Sequence, residues 1–278
     1  MEWTSFDVIA KLRGILGTRK LGHSGTLDPM ATGVLPVFCG GASKAVDLQL
    51  NHDKTYRATL RLGARTDTGD STGTVLETAP VTAGEKELLA VLPQFIGPQM
   101  QVPPMYSAVK INGQPLYKLA REGVTVERKA RPIEIYGIEY GGSPAENEYV
   151  LTVRCSKGTY IRTLCADIGE ALGCGGCMQA LRRTQAGEYT IAEAVPLQQL
   201  LEAAEPETYL RDVDTMFRGY PAVKLTVNQE KRCRNGNAFS VSLPGGTYRA
   251  YSQSGEFLML AKVEDGVMST IKSFFDVQ

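Results

Sequence analysis

The sequence is poor in the residues that most often hold metals or span membranes. Among 278 residues there are two histidines and one tryptophan. There is no histidine cluster, and Cys174-Gly175-Gly176-Cys177 is the only Cys-x-x-Cys, with no second pair at zinc spacing. A zinc centre therefore has little to be built from, and no metal is expected. No apolar run approaches the ~18 residues that a spanning helix needs, so no membrane association is expected. The opening residues, Met1-Glu2-Trp3-Thr4-Ser5-Phe6-Asp7, have no basic stretch leading into an apolar one. They do not read as a secretory signal, and a cytoplasmic location is the expectation. Net charge is also lacking: 30 Lys and Arg balance 30 Asp and Glu.

Zero net charge argues against a nucleic-acid binder, but the charge is unevenly spread. Residues 99–131 carry Lys110, Lys118, Arg121, Arg128, Lys129 and Arg131 against Glu122 and Glu127. Residues 154–183 carry Arg154, Lys157, Arg162, Arg182 and Arg183 against Asp167 and Glu170. Residues 184–214 run the other way, with Arg211 the one cation against seven acids. A basic face for phosphates and an acidic back would give this pattern. So would a solvated surface without a partner. The six cysteines read as reduced thiols, with the Cys-x-x-Cys lying between two helical stretches.

Hydrophobic periodicity supplies the elements. Phe6, Ile9, Leu12, Ile15 and Leu16 follow a helical period over 4–16, and 42–50 reads as a short helix. Val34 to Cys39 reads as a buried strand. Tyr56, Ala58, Leu60 and Leu62 alternate with polar residues, the mark of a half-buried strand over 55–63. A polar loop and a return strand over 74–78 follow. Helices are predicted at 85–95, 116–121 and 160–172, and strands at 131–140 and 148–155. Grouped strands with interspersed helices, and no strict βαβ rhythm, predict an α+β domain with a mixed, mainly antiparallel sheet flanked by helices. Past a boundary between Arg211 and Tyr220, Gly, Pro and Asn turns separate short strands, so a small β-rich domain is expected. The division predicted is 1–214 and 215–278.

One run carries the chemistry: Gly22-His23-Ser24-Gly25-Thr26-Leu27-Asp28-Pro29, continuing through Met30 and Gly33 to Leu35. Pro29 disfavours helical backbone at Asp28, and the glycines permit close approach to a ligand. A single carboxylate is thus fixed in a tight loop. An isolated Asp-Pro more often marks a turn that bonds only its own backbone. The whole run resembles the signature of the TruB family of tRNA pseudouridine synthases. Three further strings match in the same order: Lys54-Thr55-Tyr56 with Arg65 to Asp70, then Ser156-Lys157-Gly158-Thr159-Tyr160-Ile161-Arg162, then Leu181-Arg182-Arg183. Pro104 to Lys110 and Tyr220-Pro221-Ala222-Val223 also match, so the likeness covers nearly the whole chain.

The resemblance implies a pseudouridine synthase fold with a C-terminal PUA-like domain, acting on the T-loop uridine of tRNA at position 55. Asp28 would be catalytic, attacking C1′ as glycosidase carboxylates do or removing a C2′ proton. The target uridine must be flipped out to expose its sugar, and Tyr56 is the aromatic that would stack on it. Arg162 would pair with Asp28, with Asp70 as a second partner, and Tyr160 would assist proton transfer. His23 would fill the space that the flipped base leaves. Lys110 and Leu181 are further candidates for substrate contact. His52 lies outside every motif. The basic 99–131 segment corresponds to a thumb-like insertion that clamps the RNA hairpin and that guide-RNA-dependent relatives of the dyskerin type lack. A monomer working without guide RNA, cofactor or metal is expected. Family members usually begin with a strand carrying a Lys-Pro motif, and the sequence opens at the end of that motif, so the sheet is expected to lack it.

Two other functions compete. A non-catalytic RNA-binding or chaperone protein would use the basic segments and leave Asp28 idle. An Asp-dependent phosphohydrolase would want a second carboxylate and a metal beside Asp28, and no Asp-x-Asp pair stands there.

Overall fold

The computed structural model describes residues 3–50 and 53–275, and His52 lies outside them. The chain divides into two compact units that do not follow one cut. One comprises residues 3–4, Leu27–Leu35 and 53–194; the other comprises Ser5–Thr26, the segment from Pro36 to Leu50, and 195–275.

The first unit is built on a seven-stranded sheet. Its path runs Tyr189–Thr190, Gly176–Ala186, Lys54–Leu62, Glu148–Cys155, Arg131–Tyr140, Gly97–Gln101, with every neighbour antiparallel. The short Thr32–Gly33 strand pairs with Gly176–Ala186 in parallel. The predicted class, a mixed and mainly antiparallel sheet with helices, is what forms. Alternation decides the faces: Ala58, Leu60 and Leu62 turn into the core, and Arg57 and Arg61 turn out. The Ile161–Ala171 helix packs on the sheet through Ile161, Leu164, Cys165 and Ile168, one face at helical spacing. Its approach is close, because a Cβ on Gly169 would lie 2.2 Å from the Gly176 nitrogen. Each fully buried Leu, Ile or Val of this core contributes about 1.5–3 kcal/mol.

The second unit centres on a five-stranded sheet in the order Ala222–Lys224, Gly246–Tyr251, Phe257–Glu264, Val267–Ser273, Phe239–Ser240. The Val227–Arg234 helix, which the turn-rich sequence did not suggest, is capped by Thr226 and packs Cys233 into this core. Ala45 joins Phe217 and Leu260 in a further cluster, and Lys272 pairs with Asp47 at 3.0 Å. These contacts tie the 36–50 segment to the C-terminal sheet, which is why the units interleave along the chain.

Two sequence expectations fail locally. Val34 to Cys39 is not one strand: Val37–Cys39 pairs with Leu21–His23 within the second unit, while Val34 belongs to the first unit and bonds to Arg183 of that unit's own sheet. Pro36 has no N–H for a ladder, so the run breaks there. The Cys-x-x-Cys does not sit between helices: the Ile161–Ala171 helix precedes it and the eleven-residue Gly176–Ala186 strand follows. Bulges between Met178 and Ala180 and between Arg183 and Gln185 disturb the period of two that would have marked this strand.

Candidate active site

Asp28 is held in a loop anchored by its own turn and by the short strand that follows it. Its carbonyl accepts from Ala31 N at 2.8 Å. Beyond it, Thr32–Gly33 pairs with Arg182 and Arg183, and Val34 N donates to the Arg183 carbonyl at 2.9 Å. Gly33 has φ +109, and a Cβ there would lie 2.1 Å from the Arg183 oxygen. Only glycine permits that approach, and it pins the loop to the Gly176–Ala186 strand.

Arg162 meets Asp28 from the opposite side. Its Nε lies 3.0 Å from Asp28 Oδ2, and its Nη2 donates to Oδ1 at 3.1 Å. This is the two-pronged geometry that a guanidinium and a carboxylate favour. Nη1 donates to the Thr68 carbonyl at 2.9 Å and Nη2 to the Tyr106 carbonyl at 2.7 Å. Arg162 occupies the first turn of its helix, where the dipole disfavours a cation; its burial, at 4% exposure, rests on these acceptors. Asp70 stands further off, 3.8 Å from Nε. Its Oδ1 is occupied by the Thr68 and Thr72 hydroxyls at 2.8 and 2.6 Å and by Thr72 N at 3.1 Å.

Burial pushes the Asp28 carboxyl above its usual range; the Arg162 guanidinium opposes this and the Asp70 carboxylate adds to it. Asp28 keeps 31% of its side chain exposed, so it faces both the ion pair and the outside. It is therefore an accessible, oriented carboxylate.

Tyr56 lies opposite Arg183 in the sheet and packs against the core that also receives Met30 and Ala31. Burial raises its phenol, while a hydrogen bond from Arg183 and that residue's charge lower it. Arg183 is 1% exposed and donates through Nε to the Val34 carbonyl at 2.8 Å. One buried guanidinium thus connects Tyr56 to the Asp28 loop.

The structure brings Asp28, Arg162 and Asp70 into one network, with Tyr56 beside it. Tyr160 is the residue before the Ile161–Ala171 helix and is held through its backbone by Gln101. Leu181 is a buried core residue opposite Ala58. His23 ends the Leu21–His23 strand of the second unit. Lys110 is exposed on the short hairpin of the basic insertion and joins no ion pair among the described residues. Four participants were not picked out from sequence: Arg183, although its motif was, the Thr68 and Tyr106 carbonyls, and Gln101. A backbone acceptor leaves no side-chain signal. The signal for Arg183 was its place in the matched Leu181-Arg182-Arg183 string; its burial shows only in the fold.

The geometry accords with the comparisons. The description "TruB family pseudouridylate synthase (N terminal domain)" matches residues 13–161, and "tRNA pseudouridylate synthase B C-terminal domain" matches 162–213. A tRNA pseudouridine synthase B from Ralstonia pickettii is 46% identical over 246 residues, covering 87% of this chain and 77% of that protein. One from Clostridium kluyveri is 41% identical over 278 residues, 98% of this chain and 95% of that one. Among solved structures, a chain of a Cbf5-Nop10-Gar1 complex superposes with TM-score 0.73 at 24% identity, over 99% of this chain and 82% of that chain. A chain of an H/ACA RNP bound to a substrate RNA containing 2'-deoxyuridine gives 0.72 at 21%, over 99% and 83%. These two establish likeness of fold. With a family model across more than half its length and relatives above 40% identity along most of it, the chain belongs to the TruB family of pseudouridylate synthases, which are isomerases.

Proposed function

We propose that this protein converts uridine to pseudouridine in the T-loop of tRNA, at position 55, as a monomer without guide RNA. The observation that carries the reading is the doubly hydrogen-bonded Asp28–Arg162 pair, with 31% of the Asp28 side chain still exposed.

The reaction breaks the N1–C1′ bond, rotates the base, and forms a C5–C1′ bond. The C5 proton leaves and N1 gains a proton, so atoms and electrons balance within the nucleotide. This chemistry calls for no redox cofactor and no metal. Asp28 acts at the sugar, either attacking C1′ or taking the C2′ proton. Arg162 holds its carboxylate in register and, with the charge it supplies, favours ionisation against the effect of burial. Asp70 steadies Arg162 through the same Nε, at 3.8 Å. The uridine is flipped out to reach this carboxylate, with Tyr56 as its stacking face and Leu181 as part of the apolar wall. Tyr160 assists the C5 or C2′ proton transfer. His23 fills the vacated place in the RNA, and Lys110 with the basic insertion grips phosphates. In this reading 1–214 is the catalytic domain, its thumb is about 99–131, and 215–278 is a PUA-like RNA-binding domain.

Pseudouridine mapping on an unmodified tRNA transcript, by carbodiimide labelling and primer extension, tests the proposal. A stop at the T-loop uridine with the native chain and none with Asp28→Asn supports it. Equal stops with both refute the role of Asp28, and a stop at another site refutes the position.

A further inference from the structure

Gln101 is 5% exposed, and its amide is used at both ends. Its Oε1 accepts from Tyr160 N at 2.8 Å and its Nε2 donates to the Tyr160 carbonyl at 3.1 Å. The side chain thus pairs with Tyr160 as a neighbouring strand would. Tyr160 precedes the first turn of the Ile161–Ala171 helix, whose start has no side-chain cap. The same Tyr160 carbonyl accepts from Leu164 N at 3.1 Å. Gln101 therefore fixes the turn from which Arg162 projects.

Gln101 is also the root of the basic insertion. It closes the Gly97–Gln101 edge strand and pairs with Arg131, so the segment between them leaves and returns at one cross-strand pair. Near that root, Arg128 Nη1 donates to the Pro103 carbonyl at 3.2 Å. The Tyr106 carbonyl accepts from Arg162 at 2.7 Å. Two bonds from the Gln101 side chain and one from the Tyr106 backbone thus tie the base of the insertion to Tyr160 and Arg162.

We propose that Gln101 is a positioning residue: through Tyr160 it sets the Arg162 guanidinium on Asp28 and couples that setting to the insertion. The proposal rests on the synthase reading above. Losing either amide bond lets the Tyr160–Arg162 turn shift, and the ion pair loses its alignment without loss of any phosphate contact.

The test is Gln101→Met, of similar length and without donor or acceptor. Single-turnover conversion of unmodified tRNA is measured with tRNA Kd, melting temperature and amide exchange at Leu164. The expected result is conversion about tenfold slower, the scale of one hydrogen bond, with Kd within about twofold and faster Leu164 exchange. Leu88→Ala, a core change on the Glu85–Val91 helix, serves as control: it should lower the melting temperature and leave the rate per folded enzyme unchanged. If Gln101→Met melts without cooperativity, Gln101→Glu, which keeps the acceptor for Tyr160 N, takes its place. Unchanged conversion, a Kd weakened in proportion to the rate, or unchanged Leu164 exchange would overturn the proposal. If the native chain converts no uridine, the synthase reading fails, and the exchange measurement alone decides the clamp.

Discussion

Replacing Arg162 by methionine removes five polar contacts at once: two on Asp28, one each on the Thr68 and Tyr106 carbonyls, and the longer ion pair to Asp70. The two on Asp28 are charge-assisted, worth about 1.5–3 kcal/mol each. If one such interaction is lost in the transition state, the rate falls roughly ten- to 150-fold. Stability should fall too, because removing one partner of a buried pair costs about 3–5 kcal/mol. The lower end is expected, since Asp28 is 31% exposed and Asp70 keeps its bonds to Thr68 and Thr72. The pH profile is the sharper readout. Burial holds the Asp28 carboxyl above its usual range and Arg162 partly offsets this. Deleting Arg162 deletes the offset, so the pKa rises further and less of Asp28 is ionised at a given pH. The acid limb of single-turnover kcat should move to higher pH, while tRNA Kd changes little. Because the folded state binds this proton more tightly than the unfolded chain, the Asp28 contribution to stability is full below its unfolded pKa. It fades as pH rises through the folded value, over a wider window in the variant. An acid limb that stays in place or moves to lower pH would refute the account of Asp28 ionisation.

Gly33→Ala should destabilise by about 2–4 kcal/mol, since it combines positive φ with a Cβ 2.1 Å from the Arg183 oxygen; a melting temperature equal to the native value would contradict the pinning of the loop. Five exposed cations of the insertion, Lys110, Lys118, Arg121, Lys129 and Arg131, predict a slope of about −4 in log Kobs against log salt if each neutralises one phosphate; a flat response would remove the insertion from RNA binding. The thiols should be inert in the native state. Burial pushes Cys155 up to about 12 and Cys233 to about 11, and it raises Cys165 as well. A thiol reagent should reach at most the half-exposed Cys39 before denaturation and all six cysteines after it.

The readable parts of the fold are those whose reason is local. The Arg131–Tyr140 and Glu148–Cys155 strands and the Leu116–Arg121 helix form at the predicted residues. Alternation and helical spacing need no distant partner to be recognised. The Gly176–Ala186 strand escaped because two bulges break its period and because it carries a buried arginine. That arginine makes sense only beside Tyr56 and Val34, more than a hundred residues earlier in the chain. The interleaving of the two units was equally hidden: nothing in 36–50 signals that Ala45 will pack against Phe217 and Leu260.

The site divides along the same line. The sequence alone determined which residues could carry the chemistry: one carboxylate fixed between Leu27 and Pro29, one arginine placed against its helix dipole, one tyrosine on an alternating strand. It did so because residue type and short-range backbone constraint are written in the order of the chain. Tertiary structure decided how they are set. The two-pronged contact of Arg162 on Asp28, the greater distance to Asp70, the carbonyls of Thr68 and Tyr106 that complete the guanidinium, and the Gln101 clamp on Tyr160 all join segments far apart in sequence. Distances between such segments, and the burial that moves a pKa, arise only when helix and sheet pack, and no local pattern encodes them.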